Sequence, residues 1–195
     1  GPVGFHDAQV ALVQRQQEAV LLPEVAHRVP QLVGGPLDDQ PALAASPLSG
    51  ATPAFTMLGV VKDIIASWNR HDAEAVVAHV TDDVVYHATS GYRPAASGKA
   101  AFRALLQQMA PVIKTSNWRL FDAAENGNRL FVEGVDDFVN TAGHRVVIPY
   151  AGVFEFRGSQ IYNWREYYDG RISAEMKNGA AMTDEIAALI NRPAI

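Results

Sequence analysis

Cysteine is absent from this chain of 195 residues. Disulfide bonds, thiolate nucleophiles and cysteine-based metal sites are therefore excluded. Clusters of lysine and arginine are missing as well, and the formal net charge is −5 with a sequence pI near 5.6. Neither nucleic acid nor an anionic membrane is expected as a partner, because both attract concentrated positive charge.

Long apolar runs are also absent, since no segment approaches the roughly 18 residues of a transmembrane helix. The first residues lack a basic stretch followed by an apolar core, so no signal peptide is predicted and a cytoplasmic location is expected. The six histidines show no metal-ligand spacing, and no glycine-rich phosphate motif stands out. We therefore expect neither a metal nor a cofactor.

Composition divides the chain into three parts. Residues 1–54 form an N-terminal extension, with helical composition over 8–28 and much proline, glycine, alanine and serine over 30–53. This arm is expected to lie on a surface, either as a lid over a pocket or as a contact to another domain or subunit. A domain is predicted over residues 55–178. Residues 179–195 form a C-terminal tail. The stretch 173–195 contains a further helical segment, whose position in the fold the sequence does not predict.

The predicted domain begins with helices and ends with strands. Apolar residues recur at three- and four-residue steps up to Trp68, which predicts one face of a helix that ends near Asn69. Asp72 is predicted to cap a second helix over 73–79, and a third helix follows. Residues 118–169 then read as four strands joined by short turns. This order predicts an α+β fold, in which a curved and mostly antiparallel sheet wraps around three helices and encloses one cavity.

Strand alternation identifies a first candidate acid. Successive side chains of a strand point to opposite faces. Asp136 points to one face and its neighbour Asp137 to the other. Asp136 is the only charge in its row, whose other members are Leu130, Val132, Gly134 and Phe138.

A second candidate acid stands among aromatic side chains. The alternation places Glu166 in a row with Tyr162, Trp164 and Tyr168. If a carboxylate in such a row is buried, desolvation raises its pKa toward the range useful for acid–base chemistry; otherwise it lies at a sheet edge or in an ion pair. Tyr86 could donate a hydrogen bond into the same cavity, or be a core residue.

The end of the domain carries the most specific pattern. Residues 148–156 read Ile-Pro-Tyr-Ala-Gly-Val-Phe-Glu-Phe, and residues 160–169 read Gln-Ile-Tyr-Asn-Trp-Arg-Glu-Tyr-Tyr-Asp. With Trp-Asn-Arg-His-Asp at 68–72 and Asp-Asp-Val-Val-Tyr at 82–86, the sequence resembles the limonene-1,2-epoxide hydrolases and SnoaL-like cyclases. The resemblance covers roughly residues 55–178. It implies an NTF2-like cone, with the N-terminal arm outside it.

The resemblance also implies roles for particular residues. In the epoxide hydrolases of this family one Asp protonates the epoxide oxygen and a second Asp deprotonates a water, while an Arg bridges the acids and a Tyr and an Asn hold the water. Carried over by motif, the proton donor falls on Asp136, the base on Glu166 and the tyrosine on Tyr86. Ala88 and Gly134 stand where the family has the Asn and the Arg. Without that Arg, one acid is expected to hold its proton more firmly, and both losses are expected to enlarge the pocket.

These residues define the expected active site. The candidate catalytic residues are Asp136, Glu166 and Tyr86. Tyr86, Tyr150 or Tyr168 could orient Glu166 or Asp136 in place of the missing Arg. The candidate substrate-binding residues are Trp164, Tyr168, Tyr150, Phe138, Val132, Leu130, Ala88 and Gly134.

The expected function is a cofactor-independent acid/base enzyme acting on a small apolar substrate. Epoxide opening, by a cyclase or a hydrolase, is the first hypothesis, and the missing Asn and Arg favour the cyclase. A ketosteroid-isomerase-like double-bond isomerase, a dehydratase or an aldol-type polyketide cyclase is the second. A non-catalytic module for ligand binding or dimerisation is the third. The open outer face of the predicted sheet is expected to pair with a second copy in a homodimer.

Overall fold

The computed structural model describes residues 55–89, 91 and 93–195. The predicted N-terminal arm, residues 1–54, lies outside the described residues. The helices are α1 (Met57–Asn69), α2 (Ala73–Ala78), α3 (Lys99–Met109), α4 (Gly170–Lys177) and α5 (Asp184–Ile190), with a 3₁₀ turn at Ala110–Val112. The strands are β1 (Val80–His87), β2 (Ala96–Ser97), β3 (Ile113–Ser116), β4 (Arg119–Asn126), β5 (Arg129–Asn140), β6 (Arg145–Arg157) and β7 (Gln160–Tyr167).

Side-chain caps fix the beginnings of the first two helices. The Thr56 hydroxyl accepts a hydrogen bond from the Gly59 backbone N–H at 2.9 Å, which satisfies a donor that the first turn of α1 leaves free. The Asp72 carboxylate accepts from the Ala75 N–H at 2.9 Å and caps α2 in the same way. The predicted end of α1 at Asn69 and the predicted cap at Asp72 are confirmed.

The strands form one seven-stranded mixed sheet. Its order is β2-β1-β7-β6-β5-β3, and β4 also pairs with β5. β1 and β7 are parallel, whereas the other pairs are antiparallel. The predicted α+β fold with a curled, mostly antiparallel sheet is confirmed.

β5 organises the sheet around the cavity. It pairs with β6 from Arg129 to Val139, while its other edge pairs first with β4 and then, from Phe138 onward, with β3. Core residues of α1–α3 and of the inner sheet face pack into one buried cluster. The inner face therefore carries the side chains that reach the cavity.

One residue breaks the predicted alternation in β7. Consecutive residues of β6, Glu155 and Phe156, pair with Asn163 and Ile161, so Tyr162 is an extra residue that forms a bulge. Its hydroxyl donates to Glu155 at 2.9 Å on the outer face. The prediction that Tyr162 shares the face of Trp164 and Glu166 is therefore wrong, since the bulge shifts the register between them.

The C-terminal segment, which the sequence left unplaced, packs on the domain. α4 follows β7 directly, and α5 buries Ile186 in the common core. Arg192 pairs with Glu133 on the outer face of β5 at 2.7 Å. The Ile195 N–H donates to the Leu120 carbonyl at 3.0 Å, which adds backbone hydrogen bonding beside β4.

Candidate functional site

A cavity of about 310 Å³ opens between the helices and the inner face of the sheet. Helix side chains, including Trp68, Leu105 and Met109, form an apolar wall. The sheet contributes the two candidate acids, Asp136 from β5 and Glu166 from β7. Because both face a mostly apolar space, water stabilises their charged forms poorly.

Asp136 has an unusual electrostatic position. Its Oδ1 is buried and has no hydrogen-bond partner among the described residues. Burial raises its pKa to about 6; the positive charge of Lys177 opposes this shift, and the negative charge of Asp137 adds to it. At neutral pH Asp136 is therefore mostly ionised, with an acceptor oxygen available to a ligand.

Glu166 holds its proton more firmly than Asp136. Burial, followed by the negative charge of Asp136, raises its pKa to about 8, against the opposing effect of a hydrogen bond from Tyr86. The Tyr86 hydroxyl donates to Glu166 Oε2 at 3.2 Å. The carboxylate pair, Asp136 and Glu166, thus holds one proton at neutral pH, and that proton resides on Glu166.

The buried aromatic residues of the site act as hydrogen-bond donors. Burial, followed by the charge of Glu166, raises the pKa of Tyr86 and of Tyr150 well above the ordinary value, so both keep their protons. Tyr150 accepts a hydrogen bond from Trp118 Nε1 at 2.6 Å, which leaves its own O–H free to donate. Trp164 Nε1 is buried and has no hydrogen-bond partner in the described part of the chain.

Asp137, the neighbour of Asp136, faces the other side of the sheet. Arg145 donates to both of its oxygens, at 3.0 and 2.9 Å, and Arg119 donates to Oδ2 at 2.9 Å. Burial alone would raise its pKa, but hydrogen bonds from Arg145 and Arg119 outweigh that effect and hold the pKa below its ordinary value. The two adjacent aspartates therefore occupy opposite electrostatic environments.

Most of the sequence-predicted site residues meet in this cavity. Tyr86, Asp136 and Glu166 line it together. Of the candidate substrate-binding residues, Ala88, Phe138, Tyr150, Trp164 and Tyr168 also line it.

Three candidate substrate-binding residues lie elsewhere. Leu130 and Val132 are buried in the core at the β4 end of β5, away from the cavity lining. A Cβ at Gly134 would lie 2.6 Å from the Arg119 carbonyl oxygen and 3.0 Å from atoms of Leu120 and Tyr150. The space expected from the missing family Arg is therefore filled by neighbours, and Gly134 does not enlarge the cavity. Ala88 does line it.

Several lining residues were not singled out from the sequence. Trp118 holds the hydroxyl of Tyr150, and Lys177 and Arg93 bring positive charge to the cavity. Lys177 belongs to α4, whose position no sequence pattern fixes. Leu105 and Met109 of α3 line the cavity as well.

Metal-type side-chain clusters and membrane-spanning helices are both absent from the described residues. Within 55–89, 91 and 93–195, no three His, Asp or Glu side chains lie close enough to share a metal ion. No helix in the described part of the chain is long and apolar enough to cross a membrane.

Comparison with solved structures gives related folds. An epoxide hydrolase of limonene-epoxide-hydrolase type from Mycobacterium tuberculosis aligns with a TM-score of 0.55 and 22% identity, over 63% of this chain and 90% of that one. A protein assigned as a polyketide cyclase from Xanthomonas campestris aligns with a TM-score of 0.55 and 26% identity, over 62% and 96% of the two chains. A protein with a ketosteroid-isomerase-like fold from Catenulispora acidiphila, in complex with trimethylamine, gives a TM-score of 0.55 and 16% identity over 61% and 92%.

Comparison with curated proteins gives no match. The SnoaL-like domain family matches residues 61–164, which is just over half of the chain. The match includes α2, α3 and Asp136, whereas Glu166 lies two residues beyond its end. Fold, cavity and family match agree. The chain belongs to the SnoaL-like domain family.

Proposed function

We propose that this protein is a cofactor-independent acid/base enzyme that opens an epoxide in a small, largely apolar substrate. The observation that carries the proposal is the carboxylate pair itself: two buried acids line one cavity, and their pKa values of about 6 and about 8 leave one proton between them at neutral pH. Such a pair supplies a base and an acid at the same time.

Glu166 is the proposed acid and Asp136 the proposed base. The resemblance to the epoxide hydrolases implies the reverse order, with Asp136 as proton donor. The pKa values support the exchange, because Glu166 is buried, faces the charge of Asp136 and keeps its proton. Asp136, in contrast, has the positive charge of Lys177 to favour its ionised form.

The proposed epoxide opening uses both carboxyl groups, each for one proton transfer. Asp136 accepts the proton of the nucleophilic hydroxyl, whose oxygen forms a bond to an epoxide carbon. The C–O bond at that carbon breaks, and the epoxide oxygen keeps the electron pair and takes the proton of Glu166. Transfer of a proton from Asp136 back to Glu166 restores the starting state. Tyr86, which donates to Glu166, positions that carboxyl group.

Support for a cyclase, rather than a hydrolase, comes from position 88. Ala88 lines the cavity where the related hydrolases have an asparagine that holds the water. A methyl group offers a water no hydrogen bond, so a hydroxyl of the substrate itself is the proposed nucleophile.

Turnover of an epoxide panel in ¹⁸O-labelled water, followed by mass spectrometry, tests the proposal. Half of the panel carries an internal hydroxyl placed for ring closure. Unlabelled cyclic ether supports the cyclase, whereas labelled diol indicates a hydrolase.

Activity should require both acids, so Asp136→Asn and Glu166→Gln are run beside Asp137→Asn as the matched control. No reaction with any epoxide would contradict epoxide chemistry. Ligand binding that persists in Asp136→Asn would then indicate a binding module.

A double-bond isomerase is the second candidate function. The neutral Glu166, together with the hydroxyls of Tyr86 and Tyr150, offers donors that could polarise a carbonyl group while Asp136 moves a proton. An epoxide enzyme depends on both acids, whereas an isomerase with Asp136 as its base retains activity in Glu166→Gln. Proton exchange of an unsaturated ketone in heavy water, measured by NMR for both variants, separates the two.

A further inference from the structure

Two cationic side chains lie at the opening of the cavity. Lys177, the last residue of α4, and Arg93, from the segment between β1 and β2, both line the cavity and both keep part of their surface exposed to solvent. Ser173, one helical turn before Lys177, lines the same wall and is buried. The opening therefore differs in character from the apolar wall behind it.

Neither cation forms a salt bridge with an acidic side chain of the described residues. The two are close enough to oppose one another: burial lowers the pKa of Lys177, and the positive charge of Arg93 lowers it as well, against the pull of Asp136. Like charges that converge without a shared anion cost free energy. An anion between them would remove that cost.

The position of Lys177 is fixed by contacts outside the cavity. Its carbonyl accepts hydrogen bonds from His144 Nδ1 at 2.9 Å and from Asn140 Nδ2 at 3.2 Å, both at the turn between β5 and β6. Gly179 follows with a φ of +94°, and a Cβ there would lie 3.2 Å from the His144 ring. The C-terminus of α4 is thus held against the sheet, and the backbone that carries the Lys177 ammonium group is fixed in position.

We propose that Lys177 and Arg93 form a subsite for a carboxylate on the substrate, whose apolar body fills the cavity. This inference rests on the proposed function and names its substrate class. The planar guanidinium of Arg93 suits a carboxylate, and the ammonium of Lys177 adds a second positive charge. The carboxylate stays at the opening, because an anion placed deeper would meet the ionised Asp136. The reacting end of the substrate then reaches Glu166 as a neutral group.

Calorimetry with two ligands of equal shape tests the subsite. 2-Naphthoate carries the carboxylate, and 2-naphthamide is its neutral counterpart. We expect the full-length protein to bind the carboxylate about tenfold more tightly or better, since each charge-assisted hydrogen bond strengthens binding. The preference should weaken in Lys177→Met, disappear in Lys177→Met with Arg93→Met, and persist in Lys177→Arg.

The amide is the control for the fold and the cavity, because its affinity should stay the same in every variant. Equal affinity for the two ligands, no measurable binding of the carboxylate, or an unchanged preference in the double variant would overturn the subsite. The readout does not depend on turnover. Asp136→Asn should keep the carboxylate preference even if every epoxide assay fails, so the failure of one proposal is distinguishable from the failure of the other.

Discussion

Adjacent aspartates show how a single residue step decides chemical role. Asp136 faces the cavity with an unpartnered oxygen, and Asp137 faces the outer side between Arg119 and Arg145. The same side chain is thus a candidate base at one position and the centre of a structural ion cluster with two arginines at the next. Strand alternation alone accounts for the difference.

This contrast predicts opposite effects of the same substitution. Asp136→Asn removes the base and should lower activity on a panel substrate by roughly 10²-fold or more, with stability kept. Asp137→Asn leaves two arginines without their carboxylate and should lower the free energy of unfolding by roughly 1–3 kcal/mol, with turnover kept. Steady-state kinetics and urea denaturation of both variants measure the effects. Equal activity losses in the two variants would contradict the assignment.

The proton held by Glu166 predicts a bell-shaped pH profile. Activity needs Asp136 ionised and Glu166 protonated, so it should rise through about pH 6 and fall through about pH 8. The pH dependence of kcat/KM reports both limits in the free enzyme. A profile that is flat between those values and falls only far outside them would argue against the proposed roles.

At the scale of the element, close contacts of β4 and β6 with β5 hold the strand that carries Asp136. A Cβ at Gly134 would meet the Arg119 carbonyl oxygen at 2.6 Å, and backbone cannot move aside as a side chain can. Gly134 therefore lets β4 and the ring of Tyr150 approach β5 closely. The glycine serves the packing of the strands rather than the volume of the cavity.

Gly134→Ala should destabilise the fold by roughly 1–3 kcal/mol through this clash. Gly170→Ala is the matched control, because nothing lies within 4 Å of its Cβ and the site is helical. Thermal unfolding followed by circular dichroism compares the two variants. An unfolding midpoint of Gly134→Ala equal to that of Gly170→Ala would show that the strands yield more easily than the distances indicate.

The elements also show what the sequence could predict. Helical spacing and strand alternation were enough to place α1, α2 and β5, and to direct Asp136 and Glu166 to one face. The same alternation failed at Tyr162, because a bulge adds a residue to β7 that no local pattern marks. The sequence did not identify Lys177 as a cavity residue, because its distance from Asp136 depends on how α4 packs after the last strand, which is a tertiary property. The occupied space at Gly134 depends on neighbours from two other strands and was equally hidden.

At the scale of the whole molecule, the C-terminal segment changes the outer face of the sheet. Val135 and Val147 alternate onto that face and are fully buried, while α5 contacts β6 and Arg192 reaches Glu133. Phe131 and Tyr167 on the same face remain partly exposed, at 38% and 47%. The homodimer expected from the sequence stays a prediction, and these two residues mark the part of the described face that a second copy could cover.

The raised pKa values also predict how the stability of the whole molecule varies with pH. A folded-state pKa above the unfolded value means that the native state binds the proton more tightly than the unfolded state does. The resulting contribution to the free energy of unfolding is complete at low pH and is lost as pH rises through the folded pKa. Wild-type protein should therefore lose stability as pH rises from about 4.5 through about 8, and Glu166→Gln should lose less. Urea denaturation across this range measures the difference. Parallel curves for the two proteins would contradict the burial of an ionisable Glu166.

The central claim is that Asp136 and Glu166 share one proton at neutral pH, and carboxyl ¹³C NMR of protein labelled at Asp and Glu tests it most directly. Resonances assigned through Asp136→Asn and Glu166→Gln should titrate near pH 6 and pH 8 respectively. The pKa of Glu166 should fall in Asp136→Asn, because the negative charge that raises it is gone. Two carboxyl groups that both titrate near pH 4, with no response of one to the loss of the other, would contradict the account.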